Sequence, residues 1–290
     1  MKVAGFTFIR NAIIYDYPIV EAIKSILPIC DEVVVAVGKS DDGTRSLVAS
    51  IDPDKIKIVD TIWDDTLREG GKVLALETDK AFQHISPDAD WAFYIQGDEV
   101  LHEKYLENIR KAMQQHLDNP KIDGLLFHYL HFYGSYDYVA TSLNWYDKEI
   151  RVVRNHKSIY SYKDAQGFRK NNNEKLSVKL IDAYIYHYGW VKDPRKMQKK
   201  QESFNKLWHD DKWVEQNIAK AEEFDYLKSI RSLQVFGETH PQVMQSLIER
   251  KNWQFNYDIS FNKTSLKDKL KLFAKNYLGL EFGYKNYKIC

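Results

Sequence analysis

Apolar residues arrive in short blocks separated by polar stretches rich in turn formers. Residues 3–9 (VAGFTFI), 32–37 (EVVVAV), 55–60 (KIKIVD) and 91–95 (WAFYI) are dominated by β-branched and aromatic side chains and bounded by turn signals, so they predict buried strands. Between them the apolar spacing changes. Ile19, Ile23, Ile26 and Leu27 follow Tyr17-Pro18 at helical intervals, a short helix is expected over 45–50, and another runs from about Lys72 to Ile85. Strands that alternate with helices predict a parallel, doubly wound sheet with right-handed crossovers, buried on both faces.

After Leu117 the rhythm changes. Residues 124–133 (GLLFHYLHFY), 149–154 (EIRVVR) and 183–188 (AYIYHY) read as further strands that extend the same sheet in mixed or antiparallel fashion. From Asp193 onward the chain reads as helical. Asp193-Pro194 is an N-cap and first-turn pair, and Trp208, Trp213, Phe224, Leu227 and Ile230 supply apolar positions. This divides the chain into a sheet domain over 1–192 and a helical extension over 193–290. The tail at 263–288 carries Lys263, Lys267, Lys269, Lys271, Lys275, Lys285 and Lys288 against Asp268 and Glu281. Leu266, Leu270, Phe273, Tyr277 and Leu280 fall between them near helical spacing. That is a basic amphipathic helix. The commoner arrangement docks its apolar side on the domain and solvates the lysines; a membrane-surface helix is the alternative.

Composition narrows the classes. Lys+Arg 42 against Asp+Glu 41 leaves no global field to attract nucleic acid. Cys30 and Cys290 form neither a disulfide framework nor a zinc spacing, which fits a reducing cytosol. Arg10 ends the first apolar run early, with no small-residue cleavage site after it, and no 18-residue apolar stretch occurs. A cytoplasmic protein is expected, at the inner face of the membrane if the tail makes that contact.

The candidate chemistry centres on WAFYIQGDEVLHE (91–103). A buried strand runs straight into Gly97, Asp98 and Glu99, with an amphipathic run beginning near Leu101. Two adjacent carboxylates at the edge of an α/β sheet, where ligands bind, are costly unless a cation is shared between them. A divalent metal carrying phosphate oxygens is one such cation. The alternative is that the acids only open the next helix at its positive dipole end.

Four segments in this order resemble family 2 glycosyltransferases, which have the GT-A fold: FTFIRNA (6–12), VVVAVGKSDDGT (33–44), FYIQGDEVL (93–101) and YHYGW (186–190). The resemblance spans about residues 1–195. It implies an α/β fold of GT-A (Rossmann-like) type, a mixed, mostly parallel sheet flanked by helices, followed by the helical extension. It also implies transfer of a sugar, with inversion, from a nucleotide-diphosphate donor to a glycan or lipid-linked glycan acceptor, with Mn²⁺ or Mg²⁺ as cofactor. Asp42-Gly43-Thr44 match the end of the family's second motif, whereas Val37 and Gly38 stand where its early acids would be. The family's Asp-x-Asp is here Gln96-Gly97-Asp98, so Asp98 fits the metal-contacting acid and Gln96 brings no charge; weaker metal dependence follows, with Glu99 supplying part of the missing charge.

The resemblance further places Phe8, Arg10, Asn11, Gly38, Asp42, Gln96, Gly97, Asp98 and Glu99 around the donor nucleotide. His187 matches a late histidine that completes the metal or phosphate shell. Arg68 and Lys72, around Gly70-Gly71 at a helix start, suit the departing diphosphate. An inverting transfer needs a general base, for which Asp147, Glu149 and Asp164 are candidates; Asp164 lies about where the family places its catalytic acid. His128 and His131 sit on an otherwise apolar strand and are assigned no role. A non-catalytic nucleotide or glycan binder on the same fold is the competing reading. A dinucleotide-dependent dehydrogenase is excluded by the lack of GxGxxG after the first strand, and FIRNAIIYD lacks the glycine a nucleotidyltransferase loop would want.

Overall fold

The computed structural model describes residues 1–218, 220–263, 266–278 and 284–290. The expected β-α-β-α-β-α-β order is present: β1 (Val3–Ile9), α1 (Ile19–Ile26), β2 (Glu32–Gly38), α2 (Thr44–Ala49), β3 (Ile56–Thr61), α3 (Lys72–Gln83) and β4 (Trp91–Tyr94). β1 pairs in parallel with β2 and β4, and β2 with β3. Side chains alternate between two cores. Val33, Val35, Val37, Trp91 and Phe93 pack on the side of α1, while Val34, Ala36, Ala92 and Tyr94 pack on the side of α3. Two apolar faces are what a sheet covered by crossover helices requires.

The chain then adds β5 (Glu99–Leu101), α4 (Leu106–Gln115), β6 (Gly124–Tyr133), β7 (Tyr138–Ala140), β8 (Lys148–Arg154), β9 (Ile159–Tyr162), β10 (Gly167–Lys170), β11 (Glu174–Lys175) and β12 (Ser177–Trp190). β8 is antiparallel to both β4 and β6, and β12 lies parallel to β6. β1 to β4, β6 and β12 therefore point one way and β8 runs against them, a mixed, mostly parallel α/β sheet flanked by helices. β9 to β11 form a separate small ribbon.

Two boundaries differ from the sequence reading. The run near Leu101 is first a strand: β5 pairs antiparallel with β12, His187 opposite Glu99, before α4 begins. Pairing with the open edge of β12 satisfies backbone groups that an immediate helix start would leave to water. The segment after Asp193 opens as expected on α5 (Pro194–Asn205), with Asp193 accepting from Arg195 N at 2.9 Å. It continues through α6 (Asp211–Asn217), α7 (Tyr226–Ser229), α8 (Gln245–Glu249) and α9 (Leu266–Leu278), yet it also contributes strands. β13 (Leu233–Val235) pairs with β7, and β14 (Lys288–Ile289) lies parallel to β12. Lys288 is thus a strand residue rather than part of the basic helix.

α9 corrects the reading of a docked tail. Leu270 is 70% and Tyr277 76% exposed, and Phe273 is exposed on the same face, so these three apolar side chains are not covered. Leu280 and Glu281 lie outside the described residues. No described helix is long and apolar enough to cross a membrane.

Candidate functional site

The carboxyl ends of β1, β4 and β12 open on a cleft of ≈ 650 Å³ that α5 borders from the side. This is the edge where open α/β sheets place ligands. Phe8, Arg10 and Asn11 enter it from β1 and the following loop; Gln96, Gly97 and Asp98 from the end of β4; Arg68 and Asp164 from loops; and His187 from β12. Nine of the expected site residues, seven of them expected around the donor, therefore share one cavity. Gly38, Asp42, Lys72 and Glu99 are outside its lining, as are Asp147 and Glu149.

Asp98 is the centre of a charged cluster. Its Oδ2 lies 3.1 Å from Lys200 Nζ and 3.8 Å from His187 Nε2. Lys200 also donates to the Gly189 carbonyl at 2.9 Å. Burial alone would push the Asp98 carboxyl up, but Lys200, His187 and Lys192 outweigh it and hold the group far below the usual carboxylate range. Lys192 is fully buried beneath, donating to the Asp16 carbonyl at 2.5 Å, and burial lowers it to about 7. The ring of Tyr17 lies under both ammonium groups, 4.7 Å from Lys192 and 4.9 Å from Lys200.

His131, assigned no role from sequence, fixes the tautomer of His187. Its Nε2 is 2.7 Å from the Tyr146 carbonyl, which can only accept, so that nitrogen carries the proton. Burial pushes His131 down to about 3, so its ring is neutral and Nδ1 accepts from His187 Nδ1 at 3.1 Å. Burial likewise lowers His187, which leaves its Nε2 unprotonated and turned toward Asp98.

Glu99 is removed from the site. It is fully buried and takes Arg151 through two bonds of 2.7 and 2.8 Å, a hydroxyl from Tyr129 at 2.8 Å and the Gln96 N–H at 3.1 Å. Arg151 is itself fully buried between the rings of Tyr94 and Tyr129. Glu99 opens β5 and is fully buried, whereas Asp98, in the turn before it, lines the cleft.

Three other sequence candidates are structural. Asp42 accepts from the N–H groups of Ile13 and Ile14 at 3.0 and 2.9 Å and from Thr44 N, closing the loop after β1. Gly38 makes room for Trp63, whose ring would lie 2.4 Å from any Cβ there. Lys72 pairs with Glu69 at 2.5 Å on the exposed start of α3. Asn11 lines the cleft, but its amide is engaged in the loop, with Oδ1 accepting from Asp41 N at 2.8 Å. The cleft's two arginines make exposed pairs, Arg10 with Asp65 at 2.6 Å and Arg68 with Asp211 at 2.7 Å. Such pairs contribute little and exchange readily for a bound anion.

Asp164 sits in the turn between β9 and β10, between two left-handed residues, Lys163 (φ 56°) and Ala165 (φ 64°). Gln96 ties this turn to the end of β4 by donating to the Ala165 carbonyl at 3.1 Å. Gly71 (φ 68°) packs so closely that a Cβ there would lie 2.8 Å from Asp164 Cβ. Burial raises the Asp164 carboxyl above its ordinary range, against the opposing effects of backbone hydrogen bonds and Lys163. Glu149, pushed up to about 8 by burial, is enclosed away from the cleft. Sequence reasoning missed Lys200, Tyr17 and the aromatic wall of Trp63, whose ring lies tilted against Phe8 with centroids 5.8 Å apart. Only the fold brings α5 and the residue after β3 to this edge.

The donor set does not fit the expected divalent metal. Among the described residues no three His, Cys, Asp or Glu side chains converge as ligands. Gln96 is neutral, and Glu99 is locked to Arg151. An ion bound to Asp98 Oδ2 at about 2.1 Å would stand no farther than about 5 Å from the Lys200 ammonium, in a water-poor site where like charges repel strongly. His187 Nε2 is a further ligand at hand.

No protein-family model and no curated protein matches the chain. Among solved structures it is similar to S. aureus TarS 1-349 (15% identity, 77% of this chain and 67% of that chain, TM-score 0.42). The same fragment in complex with UDP-GlcNAc gives 16% identity, 77% and 68% coverage and a TM-score of 0.40. The M. tuberculosis glucosyl-3-phosphoglycerate synthase in complex with Mn²⁺, UDP and phosphoglyceric acid gives 17% identity, 45% and 43% coverage and a TM-score of 0.30. The chain thus spans less than half the length of the synthase it matches.

Proposed function

We propose that this protein is a glycosyltransferase that moves a sugar from a nucleoside-diphosphate donor to a glycan or lipid-linked glycan acceptor. The observation that carries the reading is the content of one cleft at one sheet edge. It combines an aromatic wall, Phe8 with Trp63, a cationic lining of Arg10, Arg68, Lys200 and Lys206, and a carboxyl, Asp164, raised by burial. A planar base suits the first, a diphosphate the second, and proton acceptance from a hydroxyl the third.

In this reading the acceptor oxygen forms a bond to the anomeric carbon as the bond from that carbon to the diphosphate oxygen breaks. The electron pair leaves with the phosphate, whose growing charge the cationic lining stabilises. The acceptor proton passes to Asp164. His187 Nε2, held unprotonated through His131, accepts a sugar hydroxyl.

Incubation with UDP- and GDP-sugars and an oligosaccharide acceptor mixture is expected to release the nucleoside diphosphate in step with glycosylated product. Saturable calorimetric binding with no release from any donor would instead favour a binding protein on this fold.

The exposed face of α9 supports an acceptor at a membrane surface. Leu270 and Phe273 stand uncovered on a helix that also carries Lys267 and Lys271. The protein is expected to co-sediment with phosphatidylglycerol vesicles but not with phosphatidylcholine vesicles. Leu270→Ser with Phe273→Ser should release it; sedimentation that this change leaves untouched would dismiss the contact.

A further inference from the structure

We propose that Lys200 is the resident cation of the diphosphate subsite, standing where the expected enzyme class would hold a divalent metal. The inference rests on the transferase reading above and adds the means by which the donor's phosphates are neutralised.

Lys200 is unlike the other basic residues of the cleft. Arg10 and Arg68 are partly exposed and held by exposed acids, whereas the Lys200 side chain is 10% exposed and rises from the middle of α5. Asp98 Oδ2 at 3.1 Å, the Gly189 carbonyl at 2.9 Å and the face of Tyr17 at 4.9 Å fix its position. An ammonium has three donors, and two are engaged by these oxygens, which leaves one for the cleft it lines. Lysine binds phosphate as a compact point charge.

The floor around it is built for close approach. A Cβ on Gly189 would fall 2.6 Å from both Asp98 Oδ2 and His187 Nε2, so no larger residue fits without displacing the cluster. Asp98 then has a different task from that of a metal ligand. It holds the ammonium in place, and its own depressed titration reflects the pairing. Neutral Gln96 is consistent with this, since the second acid of a metal pair is unnecessary when the cation carries a single charge and is covalently supplied.

The test is calorimetric titration of the intact protein with UDP and GDP, once in EDTA and once in Mn²⁺, using wild type and Lys200→Met. Wild type is expected to bind at least one of the two equally well in both buffers. Lys200→Met, checked for folding by circular dichroism and thermal melting, should bind about 10- to 100-fold more weakly in EDTA, the loss of one hydrogen bond to a charged group. It should regain affinity in Mn²⁺, because Asp98 and His187 are then free to take the ion. Wild-type binding that appears only with Mn²⁺ would overturn the lysine assignment and leave the transferase reading standing. Absence of binding by wild type in either buffer would overturn both. If Lys200→Met does not fold, the comparison of the two buffers with wild type still decides the matter.

Discussion

Glu99→Ala is expected to destabilise the protein by about 3–5 kcal/mol, the usual consequence of removing one member of a buried ion pair. Arg151 would be left fully buried without its carboxylate, between two tyrosine rings. Tyr129 would lose its acceptor and Gln96 the partner of its N–H. The effect would spread across the sheet, because the pair joins the start of β5 to the centre of β8. A urea titration followed by tryptophan fluorescence measures it, and the midpoint should fall well below that of the wild type. Because a domain's whole stability is of the order of 5–15 kcal/mol, poor soluble yield is expected as well. A Glu99→Ala protein with a wild-type midpoint and no nucleotide affinity would return Glu99 to the cleft.

The contrast between Asp98 and Glu99 shows where the sequence is legible and where it stops. Alternating apolar blocks located β1, β2, β3, β4 and β6 closely, because polar turns set their boundaries and all but the half-exposed β3 are largely buried on both faces. The same pattern put Asp98 at the sheet edge. It said nothing of which acid faces the cleft, since that depends on the register of β5 against β12. Lys200 was hidden for a related reason. In PRKMQKKQESFN it is one of several lysines on a polar helix, and nothing local marks it as the one turned inward. Asp42-Gly43-Thr44 misled in the opposite direction. The triplet is well suited to a phosphate loop, yet its carboxylate is already engaged by the loop's own N–H groups. His131 was passed over because its strand is apolar, although a buried ring aligned with His187 is what a fixed tautomer needs. The strands within the extension were missed because β13 and β14 are short and acquire meaning only from the open edges they cover.

Asp164→Asn is expected to lower kcat by about 10²- to 10⁴-fold, the range for loss of a general base, with nucleotide affinity unchanged. The substitution keeps the size of the side chain and the left-handed turn around it, so the Gln96 contact to the Ala165 carbonyl should persist. The pH profile separates this role from a structural one. A base must be ionised to accept a proton, so activity rises with pH through its pKa. Burial raises the Asp164 carboxyl, which places that rise at higher pH than an ordinary aspartate would give. In Asp164→Asn the residual activity should lose this limb. Asp98 cannot supply it, because its carboxyl is held ionised far into acid by Lys200, His187 and Lys192. Two carboxyls at one sheet edge are thus driven in opposite directions, one kept charged to hold an ammonium and the other made basic enough to take a proton. An Asp164→Asn enzyme that keeps wild-type kcat and its acid limb would mean the acceptor proton leaves by another group.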